Sequence, residues 1–84
     1  MKELTRAEEQ IMHVLWEIEK GLVKDILDRL PEPKPAYNTV STIVRILEKK
    51  GFGDHEAFGK THLYFPRITL NEYRRGFLKS FVNR

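Results

Sequence analysis

Four stretches of the chain repeat apolar residues at helical spacing, and one stretch between the third and the fourth alternates them like a strand. The first stripe is Ile11, Val14, Leu15 and Ile18, widened by Met12 and Trp16. Thr5 and Glu8 precede it at the spacing of a capping box, a hydroxyl that accepts from early backbone donors and a carboxylate that reaches back. Gly21 is expected to end this helix. A shorter stripe follows in Val23, Ile26, Leu27 and Leu30. The run Pro-Glu-Pro-Lys-Pro stops it, because proline removes a backbone donor and turns the preceding residue away from helix. A third helix is predicted from about Ala36 to Lys50, with Val40, Ile43, Val44 and Leu47 inward and Gly51 as its C-terminal glycine. Two short extended runs then flank Gly59 and Lys60. In the second, Thr61, Leu63 and Phe65 alternate with His62 and Tyr64 until Pro66. Thr69 and Glu72 form another capping box. The final helix, from about Leu70, carries Leu70, Tyr73, Phe77, Leu78, Phe81 and Val82 on one stripe.

Three helices, a hairpin and a trailing helix predict an α+β fold, a mainly helical winged helix-turn-helix with a two- or three-stranded wing. Residues 1–68 are expected to form the winged helix-turn-helix DNA-binding domain, and residues 69–84 the helix that trails it. In this layout the third helix enters the major groove and the hairpin touches the backbone beside it. Advancing about 100° per residue from Val40 groups Val40, Ile43, Val44 and Leu47 on one side. Asn38, Thr42, Arg45 and Lys49 fall opposite, flanked by Thr39, Ser41 and Ile46. Any solvated helix has a polar outer face. Asn, Thr and Ser, however, are poor helix formers, and short polar groups with longer cations beside them suit close approach to base edges. Ile46 is expected to fold back onto the hairpin.

Composition narrows the partners. With 15 Lys and Arg against 12 Asp and Glu, the formal charge is +3, compatible with nucleic acid without requiring it. There is no Cys, which excludes thiol chemistry and favours an intracellular, cytoplasmic setting. The charged start has no apolar signal segment, and no apolar run reaches the roughly 18 residues of a membrane span. At 84 residues the chain is one small domain. His13 reads as a surface side chain. His55 and His62 would face each other across the hairpin without a clear third ligand, so no metal and no cofactor are expected. Asp25 and Asp28 read as surface charges, and Arg74, Arg75 and Lys79 as a solvated face. Phe58 is expected to pack at the hairpin base rather than to wedge against DNA. No nucleophile triad or phosphate loop stands out, and the chain is read as not an enzyme.

The segments Leu4–Trp16 (LTRAEEQIMHVLW), Leu30–Phe52 (LPEPKPAYNTVSTIVRILEKKGF) and Tyr64–Pro66 (YFP) closely resemble the N-terminal domain of the penicillinase-repressor family. The resemblance implies a dimeric winged-helix repressor that binds double-stranded, inverted-repeat operator DNA. It implies that Tyr37, Asn38, Thr39, Ser41, Thr42 and Arg45 lie on or beside the recognition helix, and that Lys60 sits at the wing; Lys49 joins them from the helical projection. The chain departs from the family pattern at Leu22, where a hydroxyl cap is usual; its absence costs roughly 0.5–2 kcal/mol and predicts fraying of the second helix. Asn38 stands where Thr is common, and Asp54 and Glu56 dilute the wing's charge. The family continues into further dimer-building helices, which implies that residues 69–84 are the start of a truncated C-terminal dimerisation helix region. A homodimer through Tyr73, Phe77, Leu78, Phe81 and Val82 is therefore expected to be weak in this chain. The alternative to DNA binding is a winged helix that docks a protein through the same outer face.

Overall fold

The computed structural model describes the backbone of residues 3–82 and the side chains of residues 3–76. Its order is α1 (Arg6–Ile18), α2 (Val23–Arg29), α3 (Tyr37–Lys50), β1 (Gly53–Phe58), β2 (Thr61–Pro66) and α4 (Leu70–Val82). The strands form an antiparallel hairpin whose register runs from Gly53 opposite Pro66 to Phe58 opposite Thr61. Gly59, at φ 62°, makes the turn with Lys60. This is the winged helix-turn-helix layout. Among the described residues no helix is long and apolar enough to cross a membrane.

The predicted stripes meet in one core. Ile11, Met12 and Leu15 of α1, Ile26 of α2, and Val40, Val44 and Leu47 of α3 are almost wholly removed from water. Phe52 and Tyr64 close this core from the hairpin side. Both capping boxes form. The Glu8 amide donates to Thr5 Oγ1 at 3.2 Å and the Thr5 amide to Glu8 Oε1 at 2.9 Å. At α4 the Glu72 amide donates to Thr69 Oγ1 at 3.0 Å and the Thr69 amide to Glu72 Oε1 at 2.7 Å.

Gly21 does not end α1. The helix closes at Glu19, which takes a positive φ of 72° while its amide donates to the Leu15 carbonyl. Gly21 instead makes a two-bond bridge to Tyr64, at 2.9 and 2.8 Å, adding a single-residue third strand to the hairpin. A Cβ at this position would lie 2.6 Å from Ile18 Cδ1 and 3.2 Å from Asp25 Cβ, so the glycine serves close approach rather than capping. Asp25 is likewise more than a surface charge. Leu22 supplies no side-chain cap to α2, and Asp25 accepts from the Leu22 amide at 2.9 Å, completing the return half of the motif.

α4 is rooted by aromatic contacts within its own chain. Tyr73 lies against Trp16 and Phe52, with ring centroids 5.4 and 6.0 Å apart, and its hydroxyl donates to Glu9 Oε2 at 2.9 Å. Burial, and then this bond to a carboxylate, push the Tyr73 phenol up to about 12. Trp16 Nε1 donates to the Ile68 carbonyl at 2.9 Å, fixing the segment that enters α4. The other residues expected at a dimer contact, Phe77, Leu78, Phe81 and Val82, have side chains outside the described residues, as has Lys79.

Candidate nucleic-acid interface

The third helix is presented by caps at both sides of its connections. Lys34, between the prolines, donates from Nζ to the carbonyls of Leu27, Asp28 and Leu30 at 3.2, 3.0 and 2.7 Å. These carbonyls lie at the end of α2, where Leu27 O also accepts from the Leu30 amide at 3.1 Å, and the one ammonium caps them and fixes the turn into α3. Ala36 at the start of α3 offers no side-chain cap, which leaves the first backbone N–H groups to solvent or an anion. At the far end Gly51, at φ 87°, donates to Glu48 O, and Phe52 donates to Leu47 O, both at 3.0 Å. With Leu47 and Phe52 both buried, this is a Schellman stop with its apolar contact, and it turns the chain directly into β1.

Between those caps the outer face is as projected. Tyr37, Asn38, Thr39, Thr42, Arg45 and Lys49 are exposed. Ser41 is half-buried and accepts from Arg45 Nη2 at 2.9 Å, so it aims the guanidinium rather than standing free. Ile46 is exposed and does not fold away under the hairpin. Phe58 is 58% exposed at the hairpin tip, beside the turn, because the strand carries it past the last core-facing pair. It does not pack at the hairpin base.

A cleft of about 660 Å³ separates α3 from the hairpin. Tyr37, Ser41 and Arg45 line one wall, Lys60, Thr61 and His62 the other, and Lys24 at the start of α2 closes the end. Lys24 was not among the residues expected from sequence. Its signal lay in the α2 stripe, which leaves position 24 outward next to Val23. The tertiary fold brings three cations, Lys24, Arg45 and Lys60, around one groove, whose lining also holds the Glu48 carboxylate and His55. The wing's acids do not cancel them as composition suggests. Glu56 faces away and pairs with Lys20 at 2.7 Å, and Asp54 Oδ1 accepts from the His55 amide at 2.8 Å.

Within the groove's lining, His55 and His62 are diagonal rather than directly opposed, since His55 pairs with Tyr64 and His62 with Ala57. Their rings stack at 4.0 Å and 16°. His55 Nδ1 lies 2.6 Å from Glu48 Oε2 on α3. Burial, with the nearby Glu48 charge, raises the Tyr64 phenol above its ordinary value, against a smaller opposing effect of Arg45. His13 is exposed on α1, edge-on to Trp16.

The pattern of the penicillinase repressor family matches residues 4–84. The methicillin resistance regulatory protein MecI of Staphylococcus aureus (strain N315) is 24% identical over 83 residues, covering 98% of this chain and 68% of that protein. MecI of Mammaliicoccus sciuri is 23% identical with the same coverage. Among solved structures, a CopR repressor aligns with a TM-score of 0.65 and 28% identity, over 80% of this chain and 99% of that one. These relatives are regulators, not enzymes. A winged-helix core, a polar-faced third helix and a match spanning nearly every residue together place the chain in the penicillinase repressor family.

Proposed function

We propose that the protein is a sequence-specific transcriptional repressor whose α3 reads base edges in the major groove of operator DNA. The observation that carries this reading is the cationic groove of Lys24, Arg45 and Lys60 beside the exposed face of α3. A duplex seated on that face places one phosphate strand along the groove. Asn38, Thr39 and Thr42 then meet base edges near the uncapped start of α3, where short polar groups allow close approach. Arg45, oriented by Ser41, reaches a base or phosphate from the middle of the helix, and Lys49 and Lys60 meet phosphates. Tyr37, 53% exposed at the first helical position, packs against the sugar-phosphate chain.

Two copies bind an inverted repeat, and the contact between them runs along α4. Phe77, Leu78, Phe81 and Val82 supply its apolar stripe, while Tyr73 anchors the helix on its own domain. A single helix of this length covers only a few hundred Å², below the ~1,200 Å² of a standard interface. The chain is therefore expected as mostly monomer in free solution, with the dimer favoured on DNA.

Selection of bound duplexes from a random pool tests the whole reading. An enriched inverted repeat is expected. With about three or four phosphate contacts per subunit, affinity falls with salt at a log–log slope of about −5 to −7. No enriched sequence and a slope near zero would instead identify a protein-docking module.

A further inference from the structure

Three ligand-bearing side chains converge at the root of the hairpin, two of them, Glu48 and His55, on the lining of the groove. Glu48 comes from the last turn of α3, and Asp54 and His55 come from the start of β1. One ligand atom from each lies within 4.8 Å of the other two, and all three residues are half-buried. His55 Nδ1 is 2.6 Å from Glu48 Oε2, and the Asp54 carboxylate uses Oδ1 for the His55 amide, leaving Oδ2 unengaged by that bond. Stacking on His62 holds the His55 ring in place. Glu48 thus bonds the imidazole and Asp54 the backbone amide of the same residue, and among the described residues neither carboxylate forms an ion pair with a Lys or Arg. The contrast is Glu8, whose buried carboxylate is answered by the Lys50 ammonium.

We propose that Glu48, Asp54 and His55 form a binding site for a late first-row divalent cation, Zn²⁺ being the probe. One neutral imidazole nitrogen and two carboxylate oxygens balance the 2+ charge. The imidazole favours zinc, nickel or copper over the oxygen-seeking magnesium and calcium. The cation takes the place of the proton between His55 Nδ1 and Glu48 Oε2. A neutral imidazole keeps that proton by moving it to Nε2, and an imidazolium releases one proton to solvent, so acid weakens binding. Three protein ligands leave at least one position to water, as in open zinc sites. The bound ion ties the last turn of α3 to β1. It also adds positive charge to the groove that holds Arg45 and Lys60, and this consequence, unlike the binding itself, rests on the DNA-reading function.

Calorimetric titration of the 84-residue chain with Zn²⁺ tests the site. Saturable one-to-one binding is expected, weakened at least tenfold by His55→Ala and by the near-isosteric Glu48→Gln, and unchanged by His13→Ala on the remote face of α1. Mg²⁺ is expected not to compete. Circular dichroism establishes that each variant is folded. Absence of saturable binding to the wild-type chain, equal affinity in His55→Ala, or equal binding of Mg²⁺ overturns the proposal. Zinc bound as expected by a chain that binds no duplex would support the site and remove the DNA reading. Zinc that strengthens duplex binding by the wild type, and not by Glu48→Gln, supports both.

Discussion

Replacing Lys50 with Met tests how the reading helix is held to the domain. Lys50 is the last residue of α3, and its Nζ lies 2.7 Å from Oε1 of Glu8 in the first turn of α1. Glu8 is 5% exposed, the one charged residue in the described core, while the Lys50 side chain keeps 25% of its exposure. Removing one partner of a fully buried pair costs about 3–5 kcal/mol, because the other charge is stranded. Here the ammonium is partly solvated and the Thr5 amide still serves Oε1, so a loss of about 2–3 kcal/mol is expected. The domain's total stability is on the order of 4–12 kcal/mol, so the variant loses a large share of it. Urea denaturation reads the loss directly. Its pH dependence identifies the cause. Burial acts to raise the Glu8 carboxyl, but the Lys50 hydrogen bond, the Thr5 amide and the Lys50 charge outweigh it, and Glu8 is held below the usual carboxylate range. A lowered carboxyl contributes stability that is present above its unfolded value and is lost as pH falls through its folded value. Without Lys50, two of the effects that lower the carboxyl are gone, and it rises from its wild-type value. The gap between wild type and Lys50→Met is therefore widest at neutral pH and closes in acid, and adding Glu8→Gln to the variant recovers part of the loss. A destabilisation under about 0.5 kcal/mol, or a gap that does not change with pH, would show a solvated surface pair and refute the reasoning.

Gly21→Ala places a methyl 2.6 Å from Ile18 Cδ1, the movable tip of a half-buried side chain, and 3.2 Å from Asp25 Cβ, and should lower stability by about 1 kcal/mol in thermal unfolding. Arg45→Ala should reduce discrimination between operator and random duplex by about 1–3 kcal/mol in competition binding. Ser41→Ala should cause a smaller loss through the misdirected guanidinium. Lys60→Ala should weaken binding to all duplexes about equally and make the salt slope shallower by about 1 per subunit. Tyr73→Phe removes the bond to Glu9 and should cost about 0.5–1.5 kcal/mol; spectroscopic titration should find the wild-type phenol protonated until about pH 12.

The local elements were legible because each announces itself within a few residues. The Thr5–Glu8 and Thr69–Glu72 pairs, the prolines around Lys34 and the glycine at 51 mark helix ends through backbone chemistry that needs no distant partner. The stripe of Val40, Val44 and Leu47 fixes which side of α3 is inward, and hence that Asn38, Thr42, Arg45 and Lys49 are outward. The family signature reached the same face.

Contacts between elements were the part the chain order withheld. Gly21 carries the composition of a helix stop, yet its role depends on Tyr64 arriving beside it, 43 positions later in the sequence. Tyr73 belongs to an apolar stripe suited to a partner, and the fold turns it onto Trp16, Phe52 and Glu9. Counting charge along the hairpin overstates its acidity, because side-chain direction sends Glu56 to Lys20 on the face away from the groove. Lys24, Arg45 and Lys60 become one cationic site, and Glu48, Asp54 and His55 one ligand cluster, when α2, α3 and the hairpin close on each other. Helix and strand periodicity records which face of an element is buried; it carries no information on which other element that face, or its opposite, will meet.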